Sequence, residues 1–403
     1  MRRIFTMIIV LGSLSFLSAQ AEDQIQTIIN KVSIDTLIYN LRGLSGDIPV
    51  KLNNTSVSLL SRNRLSPGNS YVPTYLDQMF SRFGLVSLQQ NFMTDGTNVY
   101  AIQTGVTKPN QYVIICAHYD DMPYSGIAPG ADDNGSGTIA VLEAARILSK
   151  YKFDYTIIYA LWDLEEYGLH GSYYYAQEAS SRGDNIVAVI NLDMIGWDSN
   201  NDFKAEVHTK NISSTNELGQ LFPDTNQKYS IGLNLFVTNP GSTSSDHASF
   251  WRFNYPAVLL IEIKSDFNLY YHKSTDDISK INKVFYEKMT KLGIAVTAAS
   301  AVISQNTSVE SILPTKYALS QNYPNPFNPE TTISYEIKTS SIVTLKVHDV
   351  LGNEVATLVD EFKDAGTYRS NFSIKNSQLP TGVYFYTIRA DQFYQTKKMM
   401  LIK

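Results

Sequence analysis

Three apolar runs of strand length in this chain end in a histidine or a carboxylate, and that arrangement limits the fold more than any other feature. Tyr112 to Ala117 leads into His118-Tyr119-Asp120. Tyr155 to Leu161 leads into Trp162-Asp163-Leu164-Glu165-Glu166, and Ile186 to Leu192 into Asp193. Ala257 to Ile263 reads as a later strand. Runs of Val and Ile without polar alternation belong to strands covered on both faces. Helical segments fall between and after them: Gly137 to Leu148, Ser172 to Ser180, and a long helix with Ile281, Phe285, Met289, Leu292 and Val296 on one face. Alternating strands and helices predict an α/β fold, with a central mixed, largely parallel sheet flanked by helices. In such sheets ligands bind outside the carboxyl ends of the strands, which is where the acids and histidines cluster.

The flanking segments divide the chain further. Arg2 and Arg3, an apolar stretch from Ile4 to Leu17 and Ala19-Gln20-Ala21 have the pattern of a signal peptide spanning 1–21. The stretch is shorter than the roughly 20 apolar residues that a span needs. No transmembrane segment is expected in the mature chain. Residues 22–303 read as the α/β domain, its 22–95 portion mostly helical, with Gln24 to Leu41 and Tyr75 to Phe83 as helices and Pro67-Gly68-Asn69 as a turn. The Phe203 to Asn239 stretch reads as pocket-lining loops. A linker at 304–316 leads to short alternating runs at Ile333 to Ile337, Val343 to Val347 and Tyr384 to Arg389, which predict a small β-sandwich over 317–403.

Composition excludes some chemistries. Acids outnumber bases 38 to 33, which argues against nucleic acid as a partner. The chain has one cysteine, Cys116, so a metal would be held by histidines and carboxylates. Candidates stand at each strand end. His118 is followed two residues on by Asp120, which can accept the second imidazole N–H and orient the ring. Asp132-Asp133 lies on a Gly-rich loop directly before a helix, and one aspartate can bridge two metals through its two oxygens. Glu165-Glu166 can divide the labour, one as a metal ligand and one taking a proton from water. Asp193 and His272, the latter with Asp276 four residues on, complete the set. Two histidines, two aspartates and one glutamate, with a second glutamate as base, suit two zinc ions sharing one carboxylate.

His118-Tyr119-Asp120, the Gly130 to Gly137 loop, Glu165-Glu166 with Gly168-Leu169 and Gly171-Ser172, Asn191 to Gly196 and His272 resemble the co-catalytic zinc aminopeptidases of metallopeptidase family twenty-eight. The resemblance runs from about Asn98 to Ala301 and implies the zinc exopeptidase fold. It implies one zinc on His118, Asp132 and Asp193 and another on Asp132, Glu166 and His272, with Glu165 as general base. It also implies a cis Asp132–Asp133 peptide. Asp120, Asp133 and Asp276 are then expected to support the ligands. Ser245 to Phe250 also resembles the family and offers His247 as a candidate to stabilise the oxyanion. His170, His208 and His348 read as structural. The tail, from Tyr317 through Asn322-Tyr323-Pro324-Asn325-Pro326 to Lys397-Lys398, resembles the sorting domain of type IX secretion.

Together these features imply an exported di-zinc aminopeptidase acting on peptides with a free N-terminus. It would engage the secretion machinery through its tail and pass through the periplasm to the medium or cell surface. A glutaminyl cyclase or a carboxypeptidase-type relative would use the same fold. A third reading is an inactive surface binding protein, which would require a lost ligand or base.

Overall fold

The computed structural model describes residues 24–402 apart from 54, 305–313, 364 and 375–378. The expected leader at 1–21 and most of the expected linker lie outside the described residues. The chain divides into two compact units, Met1–Val309 and Glu310–Lys403.

The first unit contains helices α1 (Ile34–Leu44), α2 (Pro67–Arg82), α3 (Gly137–Leu148), α4 (His170–Arg182), α5 (Thr215–Lys228), α6 (His247–Arg252) and α7 (Lys283–Ala301). Its strands are β1 (Ser87–Phe92), β2 (Gly96–Gln103), β3 (Lys108–His118), β4 (Tyr155–Trp162), β5 (Asn185–Leu192), β6 (Lys204–His208), β7 (Asn234–Thr238) and β8 (Ala257–Glu262). Among the described residues these strands form an eight-stranded sheet in the order β1-β2-β4-β3-β5-β8-β6-β7. The central neighbours β4, β3, β5 and β8 are parallel, while β1/β2, β2/β4 and β8/β6 are antiparallel.

Side-chain alternation sorts each central strand between two cores. Val113, Ile115 and Ala117 of β3, with Ile190 and Leu192 of β5, pack with residues of α1, α2, α3 and α7. Ile114 and Cys116 of β3, with Val189 of β5, pack with Tyr175 and Ala176 of α4 and Phe250 and Trp251 of α6. Both faces are apolar because both are covered, which is why these strands read as unbroken hydrophobic runs.

Local capping moved several boundaries. Gln24 to Leu41 is not one helix: residues 24–29 are helical, and α1 starts afresh at Ile34 because the Ser33 side chain accepts the Thr36 N–H at 3.2 Å. Pro67-Gly68-Asn69 is not a free turn but the first turn of α2. Ser66 caps it, and proline suits the first helical position, where its missing N–H costs nothing. The 22–95 portion also holds a short hairpin, Val50–Leu52 with Thr55–Val57, and the edge strand β1. Phe203 to Asn239 is not simply loop: it contains β6, α5 and β7, which extend the sheet past β8.

Arg62 ties the loops at the carboxyl edge together. It is fully buried, and its guanidinium donates to the carbonyls of Tyr119 (2.6 Å), Leu44 (3.1 Å), Pro129 (2.6 Å) and Gly130 (2.8 Å). Its charge is balanced by Asp121 at 3.6 Å. Gly130 sits at φ +53°, where a Cβ would meet the Asp133 carbonyl and the Arg62 guanidinium.

The second unit contains β9 (Ala318–Leu319), β10 (Glu330–Ile337), β11 (Ser341–His348), β12 (Glu354–Lys363), β13 (Gly366–Ser373), β14 (Gly382–Ala390) and β15 (Phe393–Leu401). They form two antiparallel sheets, β9-β10-β13 and β12-β11-β14-β15. Ile333, Tyr335, Leu345, Val347, Tyr386 and Ile388 share a core of their own.

Because each unit has its own core, a chain ending at Val309 should fold without the tail. Circular dichroism and a denaturant titration should give native-like helix content and one cooperative transition. A truncated chain that lacks a cooperative transition would show instead that the β-unit is needed for stability.

Candidate metal centre

The strand ends converge as the alternating pattern requires. His118 is the last residue of β3, Glu165 and Glu166 follow β4, and Asp193 follows β5. Since β4, β3 and β5 are parallel neighbours, their carboxyl ends lie along one edge. The turn Ala131–Ser136 before α3 brings in a further carboxylate. Asp133 departs from helical geometry there, at φ −103° and ψ 99°. His272, at φ +57°, comes from the loop between β8 and α7. A non-glycine residue in that region is strained and is held by its surroundings. The ring of Tyr271 stacks on His272 at 3.7 Å, and that of Tyr124 packs edge-on at 5.1 Å.

Two triads of ligand-type side chains result: His118, Asp133 and Asp193, and Asp133, Glu166 and His272, with the ligand atoms of each within 4.8 Å of one another. Nε2 of His118 lies 3.5 Å from Asp133 Oδ1 and 3.4 Å from Asp193 Oδ1. Nε2 of His272 lies 3.1 Å from Asp133 Oδ2 and 2.8 Å from Glu166 Oε2. Asp133 therefore presents one oxygen to each triad. The shared carboxylate is Asp133 and not Asp132, a shift of one residue from the expected set. The cis peptide likewise falls at Asp133–Asn134 rather than Asp132–Asp133.

Asp132 points elsewhere. Its Oδ1 accepts the Gly196 N–H at 2.8 Å and its Oδ2 the Asn268 side-chain amide at 2.9 Å. Successive carboxylates on a turn point apart, so only one of the pair can face the histidines. Asp276 accepts the backbone N–H groups of Asp132 (3.2 Å) and Asp133 (3.1 Å), which holds this turn in place.

The Asp120 carboxylate accepts the Glu165 N–H at 3.1 Å and the Glu166 N–H at 3.3 Å. Nδ1 of His118 lies 3.2 Å from the Asp120 carbonyl oxygen and 3.4 Å from its carboxylate. One aspartate thus orients both the histidine and the glutamate pair. Ser245 donates to Asp193 Oδ2 at 2.7 Å. Sequence reading missed Ser245, Asn268, Arg62 and Tyr271. Ser245, Asn268 and Arg62 act through contacts made across the fold, which local sequence does not signal, whereas Tyr271 stacks on its neighbour His272, and their adjacency is the signal that could have found it.

His247 lies apart from the cluster. It is fully buried, its Nε2 is 2.9 Å from the Ser242 carbonyl, its ring packs edge-on against Trp251, and it is not among the residues lining the cavity. Burial lowers its pKa to about 3, so the ring is neutral. This placement makes it an anchor for the Ser242 loop rather than a donor to an oxyanion. The cavity, about 590 Å³, is lined by His118, Asp133, Glu165, Glu166, Asp193 and Tyr271 among others. That size suits a small-molecule or peptide-end site.

The electrostatics of the cluster are unbalanced. Burial raises the pKa of Glu165 well above the ordinary range, with Asp246, Asp193 and Glu166 adding to it against the pull of His118. Burial does the same to Glu166, with Asp133 adding. For His118, burial would lower the value, but Glu165, Asp193 and Asp120 raise it well above normal. Asp193 is lowered: burial opposes this, but His118 and Ser245 prevail.

Asp133 Oδ2, Glu166 Oε1, Asp193 Oδ1 and His272 Nε2 are buried and make no hydrogen bond. Buried polar atoms normally have partners. Four orphans converging from two triads fit a pair of divalent cations bound by imidazole and carboxylate.

Residues 98–297 match the family model for peptidase family M28, and residues 321–403 that for a secretion system C-terminal sorting domain. A probable zinc metalloprotease of Pyrenophora teres f. teres is 27% identical over 206 residues, covering 42% of this chain and 43% of that protein. A probable leucine aminopeptidase of Arthroderma benhamiae is 33% identical over 202 residues, covering 45% of this chain and 54% of that protein. The chain thus spans about half the length of the curated relatives it matches. The LapA aminopeptidase of Legionella pneumophila has a similar fold, with a TM-score of 0.60 and 21% identity over 70% of this chain and 76% of that one. Its identity is low enough that the likeness speaks to fold alone. The chain therefore carries a peptidase family M28 domain followed by a secretion system C-terminal sorting domain.

Proposed function

We propose that this protein is an exported zinc aminopeptidase that removes N-terminal residues from peptides, with two zinc ions per chain. The observation that carries the reading is the pair of ligand triads sharing Asp133, with orphaned buried atoms in both. The family match and the names of the relatives agree with it. His118, Asp133 and Asp193 would hold one ion, and Asp133, Glu166 and His272 the other. The sorting domain supports export to the medium or cell surface, and the periplasmic route belongs to the same proposal. No helix among the described residues is long and apolar enough to cross a membrane.

Zinc at these positions would supply Lewis-acid polarisation of the scissile carbonyl and increase the acidity of a coordinated water. Glu165 lines the cavity beside both triads, and its backbone N–H is pinned by Asp120. It takes the proton of the attacking water and returns it to the leaving amine. Asp120 keeps His118 and the two glutamates in register. The aromatic packing on His272 fixes that ring. The negative lining of the cavity would favour the free α-amine of a peptide over a blocked end.

Glu165→Gln preserves shape but removes the base. Turnover of an aminoacyl-fluorogenic substrate should fall by about 10²–10⁴-fold, with zinc content by elemental analysis near wild type. Full activity in that variant would remove Glu165 from the mechanism.

The aspartate pair separates the two registers. Asp133→Asn should reduce zinc to well under two per chain, whereas Asp132→Asn should retain most of it. The reverse outcome would reinstate Asp132 as the shared ligand. One tight zinc in the wild type, with cyclisation of N-terminal glutamine, would favour the cyclase.

The buried carboxyls also set a pH dependence for the metal-stripped protein. Burial raises the pKa of Asp163 and Asp246 to about 7, against about 3.9 in an unfolded chain. The stabilisation from their protonated forms is complete below about pH 4 and is lost as pH rises towards 7. His118, also raised, acts in the same sense, while His247, lowered, opposes it. In EDTA the melting temperature should therefore be lower at pH 8 than at pH 5.5, and zinc should restore it at pH 8. A chelated protein more stable at pH 8 would contradict this account.

A further inference from the structure

The cavity that holds the ligand triads is also walled by β6 and β8. These strands pair antiparallel, with His208 opposite Leu259 and Glu206 opposite Ile261. Residues directly opposite share a face, and all four line the cavity. Met194 and Phe267 line it as well. Leu259, Ile261, Met194 and Phe267 thus form an apolar stretch beside Glu206, while Glu262 and Lys264 also line the cavity.

The hydrogen bonds around His208 decide the charge of the His208–Glu206 pair. The backbone N–H of Ser242 donates to His208 Nδ1 at 2.9 Å, so Nδ1 is an acceptor. The ring proton is then on Nε2, which donates to Glu206 Oε2 at 2.6 Å. The Lys264 backbone N–H donates to Glu206 Oε1 at 3.3 Å. Each oxygen of Glu206 therefore has one neutral donor. Among the described residues Glu206 makes no ion pair other than this contact with a neutral imidazole. The carboxylate keeps a net negative charge, and its side chain is 17% exposed.

We infer that this wall receives the side chain of the substrate's N-terminal residue and favours one with an apolar stem and a cationic tip, lysine or arginine, paired by Glu206. The inference rests on the aminopeptidase reading of the same site. The methylene stem of such a residue covers Leu259, Ile261 and Met194 while its head reaches the carboxylate. A cation there forms a charge-assisted hydrogen bond. An aliphatic side chain of equal length would instead take water from Glu206 without replacing its interactions.

The test compares L-lysinamide with L-norleucinamide, whose stems are equal in length, by titration calorimetry on the zinc-loaded full chain carrying Glu165→Gln, which suppresses turnover of the amides, with Glu206 intact and as its Glu206→Gln variant. Lysinamide should bind about tenfold more tightly, the size of one charge-assisted hydrogen bond, and the variant should lose the difference. With Glu165 intact, lysyl and arginyl fluorogenic substrates should show the same loss in kcat/KM, with norleucyl turnover retained. Melting temperature and zinc content of the variant check that it is folded and loaded. Equal binding of the two amides with Glu206 intact overturns the inference, as does a lysine preference that survives in Glu206→Gln. Glu206-dependent binding of lysinamide without hydrolysis of any unblocked substrate supports the subsite and overturns the aminopeptidase reading.

Discussion

Four carboxylates and two imidazoles held within one buried cluster form the constraint around which this domain is built. Asp133, Glu165, Glu166 and Asp193 repel one another in a largely buried setting where water screens them poorly. His118 and His272 offset part of that charge. Such a cluster is costly unless cations or protons compensate it. The remaining features of the site either bring these groups together or stop them from moving apart.

The parallel sheet does the first. Strands that start at one edge and finish at the other deliver His118, the glutamate pair and Asp193 to the same rim. Each needs only a residue or a few beyond the last ladder hydrogen bond. The loops do the second, through single buried groups that each serve several partners. Arg62 gathers carbonyls from three segments. Asp120 holds the glutamate backbone beside His118, and Asp276 holds the aspartate turn. Ser245 restrains Asp193. Their value comes from satisfying otherwise stranded backbone groups in a low-dielectric setting, where an unpaired donor or acceptor is expensive. The supporting shell is as much a part of the proposed centre as the ligands.

The sheet's extension by β6 and β7 carries a different consequence. In a loop, Glu206 and His208 would have no fixed relation to β8. In an antiparallel ladder they stand opposite Ile261 and Leu259, on the cavity side. The strand period turns an undistinguished stretch of sequence into a wall with alternating chemistry, and the Ser242 loop, anchored by His247, fixes the tautomer of His208.

Several things were legible from residues alone. Buried strands show as runs of Val and Ile because two cores demand it, and chain order then places His118, Glu165, Glu166 and Asp193 at one edge. The change to alternating patterns after residue 330 reports one-sided burial in a small β-unit. Other things depended on geometry that no local pattern encodes. Asp132 and Asp133 are chemically identical neighbours, and only the backbone turn, pinned by Asp276 and Gly130, decides which faces the histidines. His247 sits in a motif-like stretch, yet packing against Trp251 and the Ser242 carbonyl removes it from the cavity. Glu206 and His208 look like an ordinary polar pair until strand register sets them against Ile261 and Leu259. Composition and periodicity therefore determined the layers of the fold and the chemical class of the site. Tertiary structure decided which oxygen faces which nitrogen, because that depends on hydrogen bonds between residues far apart in the chain.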